Sequence, residues 1–348
     1  MSILKVKEGL VEIYVPKIST ELGPGKKGGG YYSKPMIFSR DLTIMILKAL
    51  ANPNIKALDG LSSTGVRGIR IAKEAGIKIE LNDRSHYAVK LIKRNLELNN
   101  IDLNVTQMAL NDLLQSKKYD YIDIDPYGSF VPYLESAIES LNSNGIIGIT
   151  TTDLPNFTGT NKNKGLKKYG SIGIRNYLKQ EAGLRIMIAY IAKLAASYNF
   201  GIEPFVSVYH DYYYRTFIKF KKGAKESMRT LNNIQTISTA SLLPKLYGPF
   251  WIGNLHNLEF IKKLKNEKYF ESYKLIEKYL TYFNLENMLF FYSTEELCNR
   301  LKISQLKVDT IISRLKKMGF EASRTQFDPL GIKTHASYLR MKEAILSS

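Results

Sequence analysis

An α/β fold with a mostly parallel, doubly wound sheet is predicted for residues 1–222, followed by a smaller α+β domain over 223–348. Three features predict it. From Ile55 to Thr151, short runs rich in Ile, Leu and Val alternate with helical patterns, as crossover units of a parallel sheet do. The turn Asp59-Gly60-Leu61-Ser62-Ser63-Thr64-Gly65 joins the first of these strands to its helix. Beyond Lys221 the chain changes character and becomes lysine-rich and mostly helical. The first part therefore reads as an open, doubly wound α/β sheet.

The elements follow in order. Lys5 to Val15 alternates as a strand or hairpin arm, and the run from Gly23 to Gly30 is a loop by its glycine density. Tyr31 to Arg40 reads as irregular, with Pro35 breaking any helix; Asp41 or Thr43 caps a helix over Leu42 to Leu50. Strands are expected at Ile55–Leu58, Ile77–Leu81, Leu103–Thr106, Tyr119–Ile124 and Ile146–Thr151, and helices at Gly65–Ala75, Tyr87–Asn99 and Val131–Leu141. Asp153 to Gly173 reads as a polar loop, Leu178 to Ala196 as a long helix, and Ile202–Tyr209 with Tyr213–Phe220 as a hairpin. Lys225 to Leu246 gives no decisive pattern. Ser293-Thr294-Glu295-Glu296 opens a helix with a capping signal, and Val308, Ile311, Ile312 and Leu315 mark the apolar face of the next. Helix, turn, helix and a following strand after Gly319 resemble a winged-helix-like element.

Composition narrows the function classes. The chain has 348 residues, 44% of them hydrophobic, enough for a core of ordinary size. No apolar run is long enough to span a bilayer, and the N-terminus lacks the apolar stretch of a signal peptide. One cysteine, Cys298, rules out an internal disulfide framework and reads as a buried small hydrophobe. The histidines show no metal-ligand spacing. An intracellular, cytoplasmic protein without membrane, metal or obligate protein partner is the plain expectation. With 50 Lys+Arg against 32 Asp+Glu, the net charge of +18 implies a polyanionic partner. Clustered cations are stabilised by phosphates that release their counterions.

Chemistry concentrates at Asp123-Ile124-Asp125-Pro126-Tyr127-Gly128. Tyr119 to Ile124 is a buried strand, and Pro126 ends it because it has no N–H for the ladder. The Asp125 carboxylate, the Pro126 carbonyl and the Tyr127 ring then share the carboxyl edge of the sheet, where open α/β sheets bind ligands. Two acceptors and an aromatic face suit a flat base bearing an amino group. The loop from Asp59 to Gly65 offers a close backbone approach and a helix N-terminus. Asp83, at the end of the second strand, is placed for ribose hydroxyls or, alternatively, caps the next helix.

The ordered succession of Tyr31-Tyr32-Ser33-Lys34-Pro35, Ser39-Arg40-Asp41, Gly65-Val66-Arg67-Gly68, Asn82-Asp83, Asp123 to Gly128, Thr151-Thr152-Asp153, Tyr169-Gly170, Gly248-Pro249-Phe250-Trp251 and Gly331-Ile332-Lys333-Thr334 resembles the archaeal and eukaryotic tRNA guanine-26 N2-dimethyltransferase family. The resemblance runs over nearly the whole chain. It implies a Rossmann-like class I methyltransferase domain that uses S-adenosyl-L-methionine, with a C-terminal domain for tRNA. By position it implies that Arg40 and Arg67 contact the cofactor, Arg40 at its methionine carboxylate. Asp59 serves the methionine end, Asp83 the ribose, and Met108-Ala109 the adenine. Met108 departs from the family's usual Asp there, so a side-chain bond to the adenine is lost. Asp125 and the Pro126 carbonyl are expected to grip the guanine amine, with Tyr127 and Tyr31 sandwiching the base. Some relatives carry a four-cysteine zinc site, which this chain lacks. The competing readings are an amino-methyltransferase of another base in DNA or RNA, and a non-catalytic basic RNA-binding protein.

Overall fold

The computed structural model describes residues 3–17, 31–239 and 243–347; the glycine-rich loop from Gly23 to Gly30 lies outside them. The chain opens with an antiparallel hairpin, β1 (Ile3–Glu8) and β2 (Val11–Pro16). A 3-10 turn at Lys34–Met36 leads into α1 (Ile37–Leu50). Then follow β3 (Ala57–Asp59), α2 (Val66–Ala75), β4 (Ile79–Asn82), α3 (His86–Leu98), β5 (Val105–Thr106), α4 (Leu110–Ser116), β6 (Tyr119–Ile124), α5 (Val131–Glu139) and β7 (Leu141–Thr151). Short helices α6 (Leu154–Phe157) and α7 (Lys162–Tyr169) precede the long α8 (Lys179–Ser197) and the hairpin β8 (Phe200–His210) and β9 (Tyr213–Lys222).

Seven strands make one sheet in the order β5-β4-β3-β6-β7-β9-β8. All are parallel except β9, which pairs antiparallel with β7 and β8. Strand order reverses between β3 and β6, so a crevice opens there at their carboxyl ends. The β3–β6 register sets Asp59 opposite Asp123, two residues before Asp125. Fold topology thus brings together the acids that the sequence singled out.

Beyond β9 come α9 (Ala224–Leu231), the hairpin β10 (Ile234–Thr239) and β11 (Leu243–Trp251), α10 (Leu258–Ile261), α11 (Tyr273–Glu286) and β12 (Tyr292–Ser293). The last elements are α12 (Thr294–Leu301), α13 (Val308–Lys317), β13 (Ala322–Arg324), β14 (Gly331–Thr334) and α14 (Tyr338–Leu346). Strands β12, β14 and β13 form a small antiparallel sheet. Its helices close a separate core of Leu297, Ile311, Leu315, Met341 and Ile345, with Cys298 buried among them. The Ser293 hydroxyl accepts from the Glu296 N–H, as the capping signal predicts. The largest apolar core draws on both sides of residue 222, because Phe250, Trp251, Leu255, Phe291 and Phe327 pack with Phe157, Leu184 and Ile188.

Four local expectations are corrected. Helix α1 starts at Ile37, not near Asp41, because Pro35 sits in a preceding turn where its missing N–H costs nothing. Asp41 is no cap; it is buried against Arg70 at 2.6 Å. Residues 153–173 are not a loop throughout: Phe157 and Tyr169 stack at 4.0 Å between α6 and α7. The undecided stretch from Lys225 forms α9 and β10, and the third strand shrinks to Val105–Thr106. No helix among the described residues is long and apolar enough to cross a membrane.

Candidate active site

The turn after β6 is held from behind by β7. The Gly128 carbonyl accepts from the Thr152 N–H at 3.0 Å and the Thr151 hydroxyl at 2.6 Å, and the Gly128 N–H donates to the Thr152 hydroxyl at 3.0 Å. Gly128 has φ +81°, a conformation that side chains disfavour. This clamp leaves Tyr127 56% exposed with its ring toward the open edge. Asp125 is partly buried, and one of its oxygens pairs with Arg67. Among the described residues nothing donates to its other oxygen or to the Pro126 carbonyl.

Behind Asp125 lies a buried chain of charge. Arg67 pairs with Asp125 through Nη2, with Asp123 through Nε at 3.3 Å, and donates to the Thr43 hydroxyl at 2.8 Å. Asp123 also accepts two bonds from Arg215 on β9, one of them 3.1 Å, and one from the Tyr121 hydroxyl. Arg215 reaches Thr150 at 3.0 Å and Thr43 at 3.1 Å. Burial opposes charge on Arg67, but Asp123 and Asp125 more than offset it and raise its pKa. Burial likewise works against the Asp123 carboxylate, and Arg215 with Arg67 brings its pKa below the usual carboxylate range. Every nitrogen of Arg67 therefore faces a protein acceptor rather than the open crevice.

The other wall is the loop between β3 and α2. Gly65, at φ +79°, caps α2 without a side chain, so the first N–H groups of that helix face the crevice. Ser63 has φ +55°; its N–H donates to Asp83 at 3.0 Å and its hydroxyl to the Tyr31 carbonyl at 2.9 Å. Asp83 takes a second bond from the Ser85 N–H at 2.8 Å, and Ser85, not Asp83, caps α3. The four lone-pair sites of a carboxylate leave Asp83 room for further donors. Asn82 fastens the next loop, meeting the Met108 N–H and carbonyl at 3.2 Å each. Met108 and Ala109 are exposed there. Asp59 is 2% exposed, and one oxygen of its carboxyl has no partner among the described residues. Burial, then the neighbouring Asp123, pushes that carboxyl up to about 7. An orphaned buried acid beside a helix N-terminus fits the amino-acid end of S-adenosylmethionine, the acid suiting its ammonium group and the N–H donors its carboxylate.

The N-terminal hairpin supplies a group that the sequence did not announce. Glu8 is fully buried and accepts two bonds from Arg40, at 2.6 and 2.7 Å, one from Arg70 at 2.9 Å and one from the Tyr32 hydroxyl at 2.9 Å. Arg40 also donates to the Ser33 carbonyl at 2.9 Å, which leaves Nη1 for any other ligand. Burial alone raises the Glu8 carboxyl, yet Arg40 and Arg70 bring it down to about 2. Tyr31 lies edge-on to Tyr127 with ring centres 5.0 Å apart. A base between them needs two contact distances, about 7 Å, so the expected sandwich does not fit this arrangement. The Ser33 and Tyr212 hydroxyls meet at 3.1 Å beside it. Sequence reasoning missed Glu8, Arg215 and Tyr212, and it named Asp123 within the motif without giving it a role of its own. The one signal available for Arg215 was a lone charge within the run Tyr213 to Ile218 of its strand.

Sheet order, and a ligand edge at its switch point, define a class: the α/β methyltransferases that use S-adenosylmethionine. Comparison narrows that class. The chain belongs to the N2,N2-dimethylguanosine tRNA methyltransferase family, whose model matches residues 9–242 and 238–346. The tRNA (guanine(26)-N(2))-dimethyltransferase of Metallosphaera sedula is 35% identical over 379 aligned residues, covering 100% of this chain and 98% of the relative. That of Thermoplasma acidophilum is 35% identical over 340 residues, with 95% and 94% covered. Trm1 from Pyrococcus horikoshii, solved in complex with S-adenosyl-L-methionine, superimposes with a TM-score of 0.86 at 32% identity, covering 98% of this chain and 99% of that one.

Proposed function

We propose that this chain transfers one or two methyl groups from S-adenosyl-L-methionine to the exocyclic N2 of guanine 26 in tRNA. The products are N2-methyl- and N2,N2-dimethylguanosine. The observation that carries this reading is the unshared oxygen of Asp125 next to the Pro126 carbonyl and the open Tyr127 ring. When bound, the cofactor supplies an electrophilic methyl on sulfur. Asp59 and the start of α2 are assigned to its amino-acid end, Asp83 to its ribose, and Met108-Ala109 to the edge of its adenine. Arg40 reaches its carboxylate through Nη1.

The guanine amine is a poor nucleophile because its lone pair is delocalised into the ring. Asp125 and the Pro126 carbonyl accept its two hydrogens, turn the lone pair toward the methyl and stabilise the cationic charge that develops on nitrogen. The new N–C bond forms as C–S breaks, and the amine proton leaves by way of Asp125. Arg67 is assigned to Asp125, whose second oxygen it aims; its engagement with Asp123 and Thr43 supports that role over cofactor binding. Tyr127 stacks on one face of the base, a contact typically worth about 1–3 kcal/mol. A guanine inside the tRNA core has to be extruded to reach this edge. Residues 1–222 are taken as the catalytic domain and 223–348, with its winged-helix-like end, as the tRNA-binding domain of a cytoplasmic enzyme.

The test is mass spectrometry of nucleosides from an unmodified tRNA transcript treated with the purified chain and S-adenosylmethionine. Methylated guanosine at position 26 is the expected product. Methylated adenosine or cytidine, or no transfer, overturns the proposal.

A further inference from the structure

A cavity of about 810 Å³ opens where the turn at Lys34–Met36 and the end of β8 meet the start of α11. Lys34, Lys268, Lys274 and His210 stand on its wall against one carboxylate, Glu271. None of these three lysines has an acidic partner among the described residues. Some other lysines do pair, as Lys117 with Glu80 and Lys168 with Asp153, both at 2.8 Å, while many among the described residues are single; here three converge on one hollow. Burial first, and then Glu8 and Asp41, push the Glu271 carboxyl up from its ordinary range. His210 is engaged with the Tyr279 hydroxyl at 3.1 Å. No side chain caps the start of α11, because the Ser272 hydroxyl turns inward to Asp41.

Unpaired ammonium groups around one hollow repel each other unless a polyanion enters. The hollow also adjoins the methylation site. Lys34 follows Ser33, whose hydroxyl contacts Tyr212, and His210 lies two residues before Tyr212 on the same hairpin. We propose that this cavity receives backbone phosphates of the RNA strand that carries the methylated guanosine. The inference rests on the RNA-methyltransferase reading above and adds to it the place where the substrate backbone is held.

The experiment compares the full chain with Lys268→Ala/Lys274→Ala and with Lys268→Arg/Lys274→Arg, all of them on an unmodified tRNA transcript over a salt series. The alanine pair is expected to weaken tRNA binding about tenfold at low salt and to flatten the slope of log affinity against log salt by about 1–2. The loss falls on KM for tRNA, the arginine pair retains affinity, and binding of S-adenosylhomocysteine stays unchanged. Both lysines are exposed, so the fold tolerates these changes. An alanine pair with wild-type tRNA affinity and salt slope overturns the proposal. If the slope depends on the two lysines while guanine 26 receives no methyl group, the phosphate site stands and the assigned reaction falls.

Discussion

Burial beside Asp123 pushes the Asp59 carboxyl up to about 7, and its ionised form is the one that pairs with a cationic amino group. In the free protein the folded state keeps this proton after the unfolded chain has lost it. The contribution of Asp59 to stability therefore falls as pH rises from about 4 to about 7. In the cofactor-binding role proposed for Asp59, affinity runs the other way. Calorimetry with S-adenosylhomocysteine is expected to show binding that weakens up to about tenfold per pH unit below about 7. Asp59→Asn is expected to bind weakly at every pH without that slope. Equal wild-type affinities at pH 6 and pH 8 contradict the assignment. At Asp125, Arg67 takes one carboxylate oxygen and leaves the other open.

At the scale of elements, the β1–β2 hairpin acts as a plug whose charged tip is Glu8. Its carboxyl, held down to about 2, contributes stability that is complete above about 4.5 and lost as pH falls toward 2. Removing one member of a buried ion network typically costs about 3–5 kcal/mol because its partners stay buried and uncompensated. Glu8→Gln is expected to lose stability of that size in urea at pH 7, with the gap to wild type narrowing below about pH 4.5 and closing toward pH 2. A loss under about 1 kcal/mol, or one that ignores pH, contradicts the plug. The strands and the Asp125 turn were legible because Pro126 and a continuous buried run leave few local alternatives. The partners of Glu8 were not, since Arg40 and Arg70 lie 32 and 62 positions away. Residues 153–173 misled for a related reason. Their polarity suits a loop, but Asp153 binds Lys168 at 2.8 Å and Tyr169 at 2.7 Å and folds the segment back on itself.

Across the whole molecule, a second buried charge cluster joins the methyltransferase sheet to the C-terminal elements. Lys333 on β14 donates to Glu181 on α8 at 2.7 Å, and Arg185 on α8 reaches the carbonyls of Trp251 at 3.0 Å and Met288 at 2.9 Å. Glu286 lies in the same cluster, and burial pushes its carboxyl up to about 7. The change in composition after Lys221 is real, but the apolar core continues across it through Phe250 and Trp251. Sequence composition reports the surface, which is where RNA contact and lysine content matter. It does not report which buried faces meet, because those pairings join residues more than a hundred positions apart. The net charge of +18 fits the polyanionic substrate at this same scale.

The central claim is that Asp125 accepts a hydrogen of the guanine amine while the methyl group is transferred. The most direct measurement is single-turnover transfer of labelled methyl from S-adenosylmethionine to unmodified tRNA by Asp125→Asn, with tRNA and S-adenosylhomocysteine affinities measured beside it. The account predicts a fall in rate of about 10²–10³ or more with both affinities kept within a few-fold. A variant that transfers methyl at close to the wild-type rate contradicts it.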